Sequence, residues 1–209
     1  PGNTAITESW NGSSWTEVSD LNTARQRHAG AGADNTSSIA IGGVDPAGPA
    51  LGVTETWNGS SWTEVNDLNT ARYDAAGVGR TPSGLLAGGD AAGDSTSGSN
   101  TVESWNGTSW TEIAEINTSR WGLSGAGLDS TNAIVFNGGN FPPGYKVLTE
   151  FWNGSSWTEV GDMSVARALG SSSGSAATAV AMGGQGTSID QATTEEWTSD
   201  SALSTVTVS

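Results

Sequence analysis

The 209-residue chain has no cysteine. That absence excludes disulfides, thiolate metal sites and cysteine nucleophiles, and with them a small secreted scaffold held together by bridges. Positive charge is scarce: seven Lys and Arg stand against 22 Asp and Glu, a formal net charge of −15, and Lys146 is the one lysine. Without a basic stripe to release counterions from phosphates, nucleic-acid binding is excluded, and an anionic membrane surface is disfavoured for the same reason. The longest apolar runs span about four residues, as at 133–136, far below the roughly 20 needed to cross a bilayer as a helix, so no membrane insertion is expected. No charged-then-apolar signal segment opens the chain. It begins at Pro1 rather than Met, which reads as processing or as a piece of something longer. Bulky aliphatics are few as well. Leu, Ile, Val and Phe total 33 residues, a share that at this net charge is typical of disordered chains.

What is present opposes disorder. Ten Trp and 30 Gly point to a core of Trp anchors and very small residues, in one domain spanning 1–209. The string Thr-Glu-Ser-Trp-Asn-Gly-Ser-Ser-Trp-Thr-Glu-Val starts at Thr7 and recurs nearly unchanged from Thr54, Thr101 and Thr149. The first Trp of each unit is Trp10, Trp57, Trp105 and Trp152, with Trp197 in a degenerate fifth copy, at spacings of 47, 48, 47 and 45. The second Trp follows at Trp15, Trp62, Trp110 and Trp157, and the fifth copy lacks it. In the same step come Arg25, Arg72, Arg120 and Arg167, each closing an Asn-Thr-Ala-Arg-like segment, and a glycine doublet at 42–43, 88–89, 138–139 and 183–184. Such periods mark a repeat architecture.

Each unit reads as four β-strands. Strand a is the small-residue stretch at 29–33, 75–79, 123–127 and 170–174. Strand b, at 38–41, 85–87, 133–136 and 179–182, ends on the glycine doublet. A variable loop leads to strand c with Thr-Glu-x-Trp, and strand d carries Ser-Trp-Thr-Glu-Val. Asn-Gly between c and d predicts a type I′ hairpin turn, which needs φ > 0 at both central residues. No helical period is present. Four antiparallel strands repeated every ~47 residues describe a β-propeller blade, with small residues on the strand nearest the axis and Trp filling the diverging gap between blades. The expected layout is an outer strand pair of a first blade at 1–26, then blades at 27–66, 74–114, 122–161 and 169–208, four to five in all. Two closures fit this count. Either the first c–d pair completes the last a–b pair, leaving a C-terminal tail, or residues 1–19 belong to a blade whose inner strands lie upstream of Pro1 or come from another subunit. The Pro1-Gly2-Asn3 start resembles a b–c loop cut midway and favours the second.

The doublet ending strand b, the aromatic in strand c and the Trp in strand d resemble the kelch repeat across essentially the whole chain. One departure is that Trp-Asn-Gly replaces the Tyr-Asp-like pair usual in kelch strand c. The near-identical Trp-Asn-Gly-Ser-Ser-Trp-Thr-Glu-Val and Asn-Thr-Ala-Arg wording resembles kelch-like structural and tail-fibre proteins of marine bacteriophages. That resemblance implies a kelch-type propeller on a virion surface or otherwise extracellular, with other virion proteins or copies of itself as partners and a host-surface glycan or protein as target.

Candidate sites follow from what repeats and what does not. The repeat arginines are expected to pair with a repeat glutamate, Glu17, Glu64, Glu112 and Glu159, with the guanidinium over a Trp face. A second glutamate set lies on strand c at Glu8, Glu55, Glu103, Glu150 and Glu195. A ring of carboxylates for glycosidase-like acid–base work is the weaker reading, because a copy on every blade speaks for structure. Trp121 and Tyr73 fall outside the pattern, just after Arg120 and Arg72, and are the candidates for stacking on a ligand. Asp90, Asp94 and Tyr145 join them in the variable loops; Asp90 and Asp94 match no calcium-loop spacing. His28 is the only histidine, so no multi-histidine metal site is available, and no nucleophile elbow accompanies it to form a triad. No cofactor, metal or catalytic residue is expected. The loops at 44–51, 90–100, 140–146 and 185–191 differ in length and chemistry while the strands barely differ, which predicts a binding surface on a non-catalytic scaffold.

Overall fold

The computed structural model describes residues 4–45, 48–91, 98–140, 144–187, 189–199 and, by backbone alone, 204–208. All regular structure among them is β. The hairpin β1 (Thr7–Trp10) and β2 (Trp15–Val18) forms a sheet of its own. The first complete blade is β3 (Ala29–Asp34), β4 (Ser37–Ile41), β5 (Thr54–Trp57) and β6 (Trp62–Val65). The second is β7 (Ala76–Arg80), β8 (Ser83–Ala87), β9 (Val102–Trp105) and β10 (Trp110–Ile113). The third comprises β11 (Ser124–Asp129), β12 (Asn132–Phe136), β15 (Thr149–Trp152) and β16 (Trp157–Glu159), with a two-stranded insertion, β13 (Gly139–Asn140) and β14 (Gly144–Tyr145), between b and c. The fourth is β17 (Ser171–Gly174), β18 (Thr178–Met182), β19 (Thr194–Ser199) and β20 (Ser204–Val208). Every complete blade is an antiparallel meander in chain order, and the four form a β-propeller arrangement.

Small residues put strand a at the axis. The innermost strands pack in the order β3, β7, β11, β17, and their Gly, Ala and Ser residues let the backbones converge. Farther out the gap between blades widens, and each seam is filled by aliphatics from strand b and the Trp residues of strands c and d. The core is therefore divided into three clusters, one per seam, represented by Ile39 with Trp105 and Trp110, by Val135 with Trp152 and Trp157, and by Phe136 with Trp197. No comparable packing joins β17 back to β3. β18 pairs with β19, and β19 with β20. The closure in which the N-terminal hairpin completes the last inner pair is not formed.

Two local expectations need correction. The c–d turn is not a two-residue type I′ turn, because Trp10 pairs with Trp15 and four residues lie between them. Only the glycine adopts positive φ, 98° at Gly12 and 93–94° at its equivalents. The asparagine instead caps the loop through its side chain: Asn11 Oδ1 accepts from the Ser13 and Ser14 amides at 2.9 and 3.0 Å. Its short carboxamide serves the turn through hydrogen bonding rather than through a left-handed backbone. In the third unit the left-handed pair ending strand b is Asn137 (φ 55°) and Gly138 (φ 93°), one residue earlier than the doublet suggested. Asn tolerates that region better than most side chains, and Asn137 Oδ1 also accepts from the Ser124 amide at 3.1 Å. Gly139 is thereby released to start β13. The second position of the pair has no room for a side chain: a Cβ on Gly89 would lie 2.7 Å from the Tyr73 carbonyl.

Candidate binding face

A four-stranded meander places its b–c loops and d–a linkers at one end of the blade and its a–b and c–d turns at the other. The variable loops therefore share a face with the linkers that carry the repeat arginines.

Each linker is fixed from beneath by a glutamate of strand c, not by the strand d set expected from sequence. Arg25 meets Glu55 at 3.1 Å, Arg72 meets Glu103 at 2.5 Å, Arg120 meets Glu150 at 2.7 Å and Arg167 meets Glu195 at 3.2 Å. The other carboxylate oxygen holds the turn just upstream. Glu103 Oε2 accepts from the Asn69 amide at 2.8 Å and from its Nδ2 at 2.7 Å, and Glu55 and Glu150 take Asn22 and Asn117 in the same way. Glu195 does so with the Ser164 amide. These glutamates are 0–2 % exposed and the arginines 0–3 %. Burial pushes the four guanidinium groups below their ordinary value, and the facing carboxylates oppose that fall. The strand d glutamates, each directly across from a strand c glutamate and on the same face of the sheet, stay exposed. Strand c carboxylates committed to a guanidinium and to one or more backbone or amide donors are structural clamps. No repeat arginine lies over a Trp; the cation–π contact among the described residues is Arg27 over the Tyr73 ring, 4.4 Å from its centroid.

Above the clamps, the second residue after each arginine adopts a left-handed backbone: Arg27 (φ 58°), Asp74 (52°), Gly122 (66°) and Leu169 (56°). Each of the last three donates a hydrogen bond to its counterpart in the unit before it. The Asp74 amide donates to the Arg27 carbonyl at 3.1 Å, Gly122 to Asp74 at 2.7 Å, and Leu169 to Gly122 at 2.8 Å. This chain of amides ties the face together around the axis. Non-Gly residues in this region cost about 1–2 kcal/mol each, offset here by the interblade bond.

The sequence candidates are distributed over this face. Tyr73 and Trp121 each sit one residue before the left-handed position and bridge to the loop, Tyr73 with Asp90 and Trp121 with Gly139. Their rings are buried, 4 % and 5 % exposed, and so offer no open face for stacking. Tyr73 donates through its hydroxyl to Asp90 Oδ2 at 2.8 Å, and Asp90 is fully buried. Trp121 makes an edge contact with Tyr145, centroids 6.1 Å apart, and the half-buried Tyr145 donates to Gln185 Oε1 of the next blade at 2.7 Å. Asp94 lies outside the described residues. Two clusters result, Arg27–Tyr73–Asp74–Asp90 and Trp121–Tyr145–Gln185, each bridging neighbouring blades. Arg27 and Gln185 were missed in the sequence because their partners are a repeat away. His28 is exposed at the start of β3, and among the described residues no three His, Asp or Glu converge as metal ligands.

The Trp pairs lie in the blades, below this face. Ring centroids within each complete hairpin are 5.3–5.4 Å apart. In the first and third blades the first Trp secures its own a–b turn, Trp57 Nε1 donating to Asn35 O at 2.9 Å and Trp152 Nε1 to Ser130 O at 3.0 Å. The second reaches back across the seam: Trp110 Nε1 donates to Thr54 Oγ1 at 3.0 Å and Trp157 Nε1 to Ala114 O at 2.9 Å.

Asp74 is the titratable group of the face. Burial, with the nearby Asp90 charge adding to it, raises its carboxyl above the ordinary aspartate value despite the ion pair with Arg27, whose Nε donates to Oδ1 at 3.0 Å. The folded chain then keeps a proton that the unfolded chain has released, so this residue's contribution falls as pH rises from the ordinary value through the raised one. Asp74→Asn tolerates the left-handed backbone and removes that titration. The variant is expected to match wild type in Tm near and below pH 4 and to exceed it at pH 7, read from paired thermal melts. Equal offsets at all pH values would refute the assignment.

No protein-family model matches the chain, and no curated protein sequence matches it. Among solved structures it is similar to one titled "Structure of YjhT", with a TM-score of 0.81 and 14 % identity, over 97 % of this chain and 75 % of that one. At this identity the likeness establishes the β-propeller fold and nothing finer.

Proposed function

We propose that this protein is a non-catalytic structural and adhesion module of the kelch-like type, displayed on a virion surface such as a tail fibre, whose b–c loops contact a host-surface glycan or protein. The observation that carries the reading is the division of labour within the repeat. Strands, linkers and Trp pairs are near-copies engaged in buried clamps, whereas the segments that differ, 44–51, 90–100, 140–146 and 185–191, all connect strand b to strand c, and their described ends lie beside the d–a linkers. A rigid frame with divergent loops suits recognition. The strand c carboxylates, held by arginines and amides, are not positioned as the general acid and base a glycan-cleaving propeller needs. The phage assignment rests on the wording of the repeats.

The test has two parts. Peptide mass spectrometry of density-purified particles from the source should recover this chain with the virions; recovery from soluble cytosol alone would sink the virion assignment. The purified protein should bind cells of the host without turnover on a polysaccharide panel. Exchange of the 185–191 loop for the 44–51 sequence should alter binding while leaving Tm within about 2 °C, as expected of a surface loop change worth under ~0.5 kcal/mol. Turnover abolished by mutating one unique acid would replace this reading with an enzyme.

A further inference from the structure

The N-terminal hairpin occupies a blade position with half of the blade unfilled. β1 and β2 pair in the same register as β5 and β6, Glu8 opposite Glu17 and Trp10 opposite Trp15. The hairpin is docked on the first blade by the bonds seen at a complete seam. Trp62 Nε1 donates to Thr7 Oγ1 at 3.1 Å as Trp110 does to Thr54, and the Leu21 amide donates to Ala5 O at 3.0 Å as Leu68 does to Gly52 at 2.9 Å. Three features of this position stand without the partner that every complete blade provides.

The first is the inner edge of β1, which has no strand b beside it among the described residues. The second is Glu8. Its four counterparts are buried and each binds an arginine and a linker turn, whereas Glu8 is exposed and has no ion-pair partner among the described residues. The third is Gly30. At later seams the corresponding glycine receives the preceding inner strand so closely that a Cβ would be crowded: on Gly77 it would lie 3.0 Å from Gly30 O, and on Gly125 2.8 Å from Val78 Cγ2. On Gly30 a Cβ would meet nothing nearer than Ile39 O at 4.0 Å, a strand of its own sheet. Beside these features Trp10 and Trp15 are 44 % and 64 % exposed, and a cleft opens along Thr7, Trp10, Asn35 and Trp57.

The geometry points to this seam as a docking site for one further strand pair of the same repeat type, supplied from outside residues 1–209 and led by an Asn-Thr-x-Arg turn. One such segment satisfies all three features at once. Its strand b pairs with β1, its arginine and turn amides bind Glu8, and its small-residue strand a packs on Gly30. Charge complementarity selects it, because an exposed carboxylate on a chain of net charge −15 favours a guanidinium over another acidic surface. An open strand edge beside two exposed Trp is a surface proteins normally cover. The proposal is independent of what the b–c loops bind.

Thr7 stands in the repeat where Thr54 does, so a copy of residues 19–53 placed directly ahead of Thr7 supplies the missing segment in register. In the extended chain the β1 amides are expected to gain at least about tenfold protection from hydrogen exchange, and the Trp emission should shift to the blue. Glu8→Gln, or Arg25→Ala within the copy alone, should remove most of that gain. Gly30→Val should leave the melting of the original chain unchanged, because its side chain enters open space, yet abolish the gain in the extended chain. Unchanged β1 exchange after extension, or a gain indifferent to Glu8→Gln and Gly30→Val, would overturn the proposal.

Discussion

Replacing Arg120 by Met is expected to destabilise the protein by about 3–5 kcal/mol, the cost of leaving a buried charge without its partner. For a chain of this length that corresponds to a fall in Tm of roughly 6–20 °C. Arg120 is the best connected of the four. Beyond Glu150 it donates to Asn137 O at 2.8 Å and Leu148 O at 2.9 Å, joining the linker, the end of strand b and the start of strand c. Removing the side chain orphans the Asn137 carbonyl together with the carboxylate, and leaves the Leu148 carbonyl with the Asn137 amide alone. The double variant Arg120→Met, Glu150→Leu separates charge from geometry. If the cost were only an unpaired charge, the double variant would recover nearly all stability. Glu150 also accepts from the Asn117 amide at 2.6 Å, so recovery is expected to be partial, with about 1–3 kcal/mol remaining for the abandoned donors. Full recovery on chemical denaturation would show that the turn does not depend on the carboxylate.

The second large effect contrasts two residues with the same place in the repeat. Trp152→Ala is expected to cost about 3–5 kcal/mol, as for other buried Trp truncations. Its ring is 3 % exposed in the seam between the second and third blades, and its Nε1 holds the a–b turn. Trp10→Ala, at 44 % exposure and with no inner strands beside it among the described residues, is expected to cost under about 1 kcal/mol, because much of the apolar area it would lose is already in water. Urea unfolding of the two variants measures the difference directly. Comparable losses at both positions would mean that the N-terminal hairpin is buried by something the isolated chain provides. Extension of the chain by the strand pair proposed above should raise the cost of Trp10→Ala towards that of Trp152→Ala.

The blade itself was legible in the sequence because its determinants are local and repeated. Strand b was marked by aliphatic runs closed on a doublet, strand a by Ala and Gly, and strands c and d by their Trp; the observed strands start and end within one or two residues of those marks. The arginine clamps were legible as a class but not as pairs. Glu55 and Glu64 lie directly opposite each other on adjacent strands and recur at the same step, so periodicity cannot say which one meets the arginine. The fold decides it: strand c lies over the linker and strand d presents its glutamate to solvent. The c–d turn misled for a related reason. Asn-Gly has two uses, a left-handed pair or a side-chain cap, and the position of the flanking Trp pair selects the four-residue loop.

The candidate face was less legible. Tyr73, Trp121 and Tyr145 stood out because they break the repeat, yet their burial and bonds to Asp90 and Gln185 join residues 17 and 40 positions apart. Arg27 and Asp74 looked like ordinary linker residues until the blades met. By itself the sequence determined the repeat, its four strands and the small-inside, Trp-outside grading, since each follows from side-chain size and period within one unit. Tertiary structure alone decided the clamp partners, the amide chain around the axis and the open seam at Glu8 and Gly30. These depend on how one unit packs against the next, and near-identical units carry no local mark of which neighbour is missing.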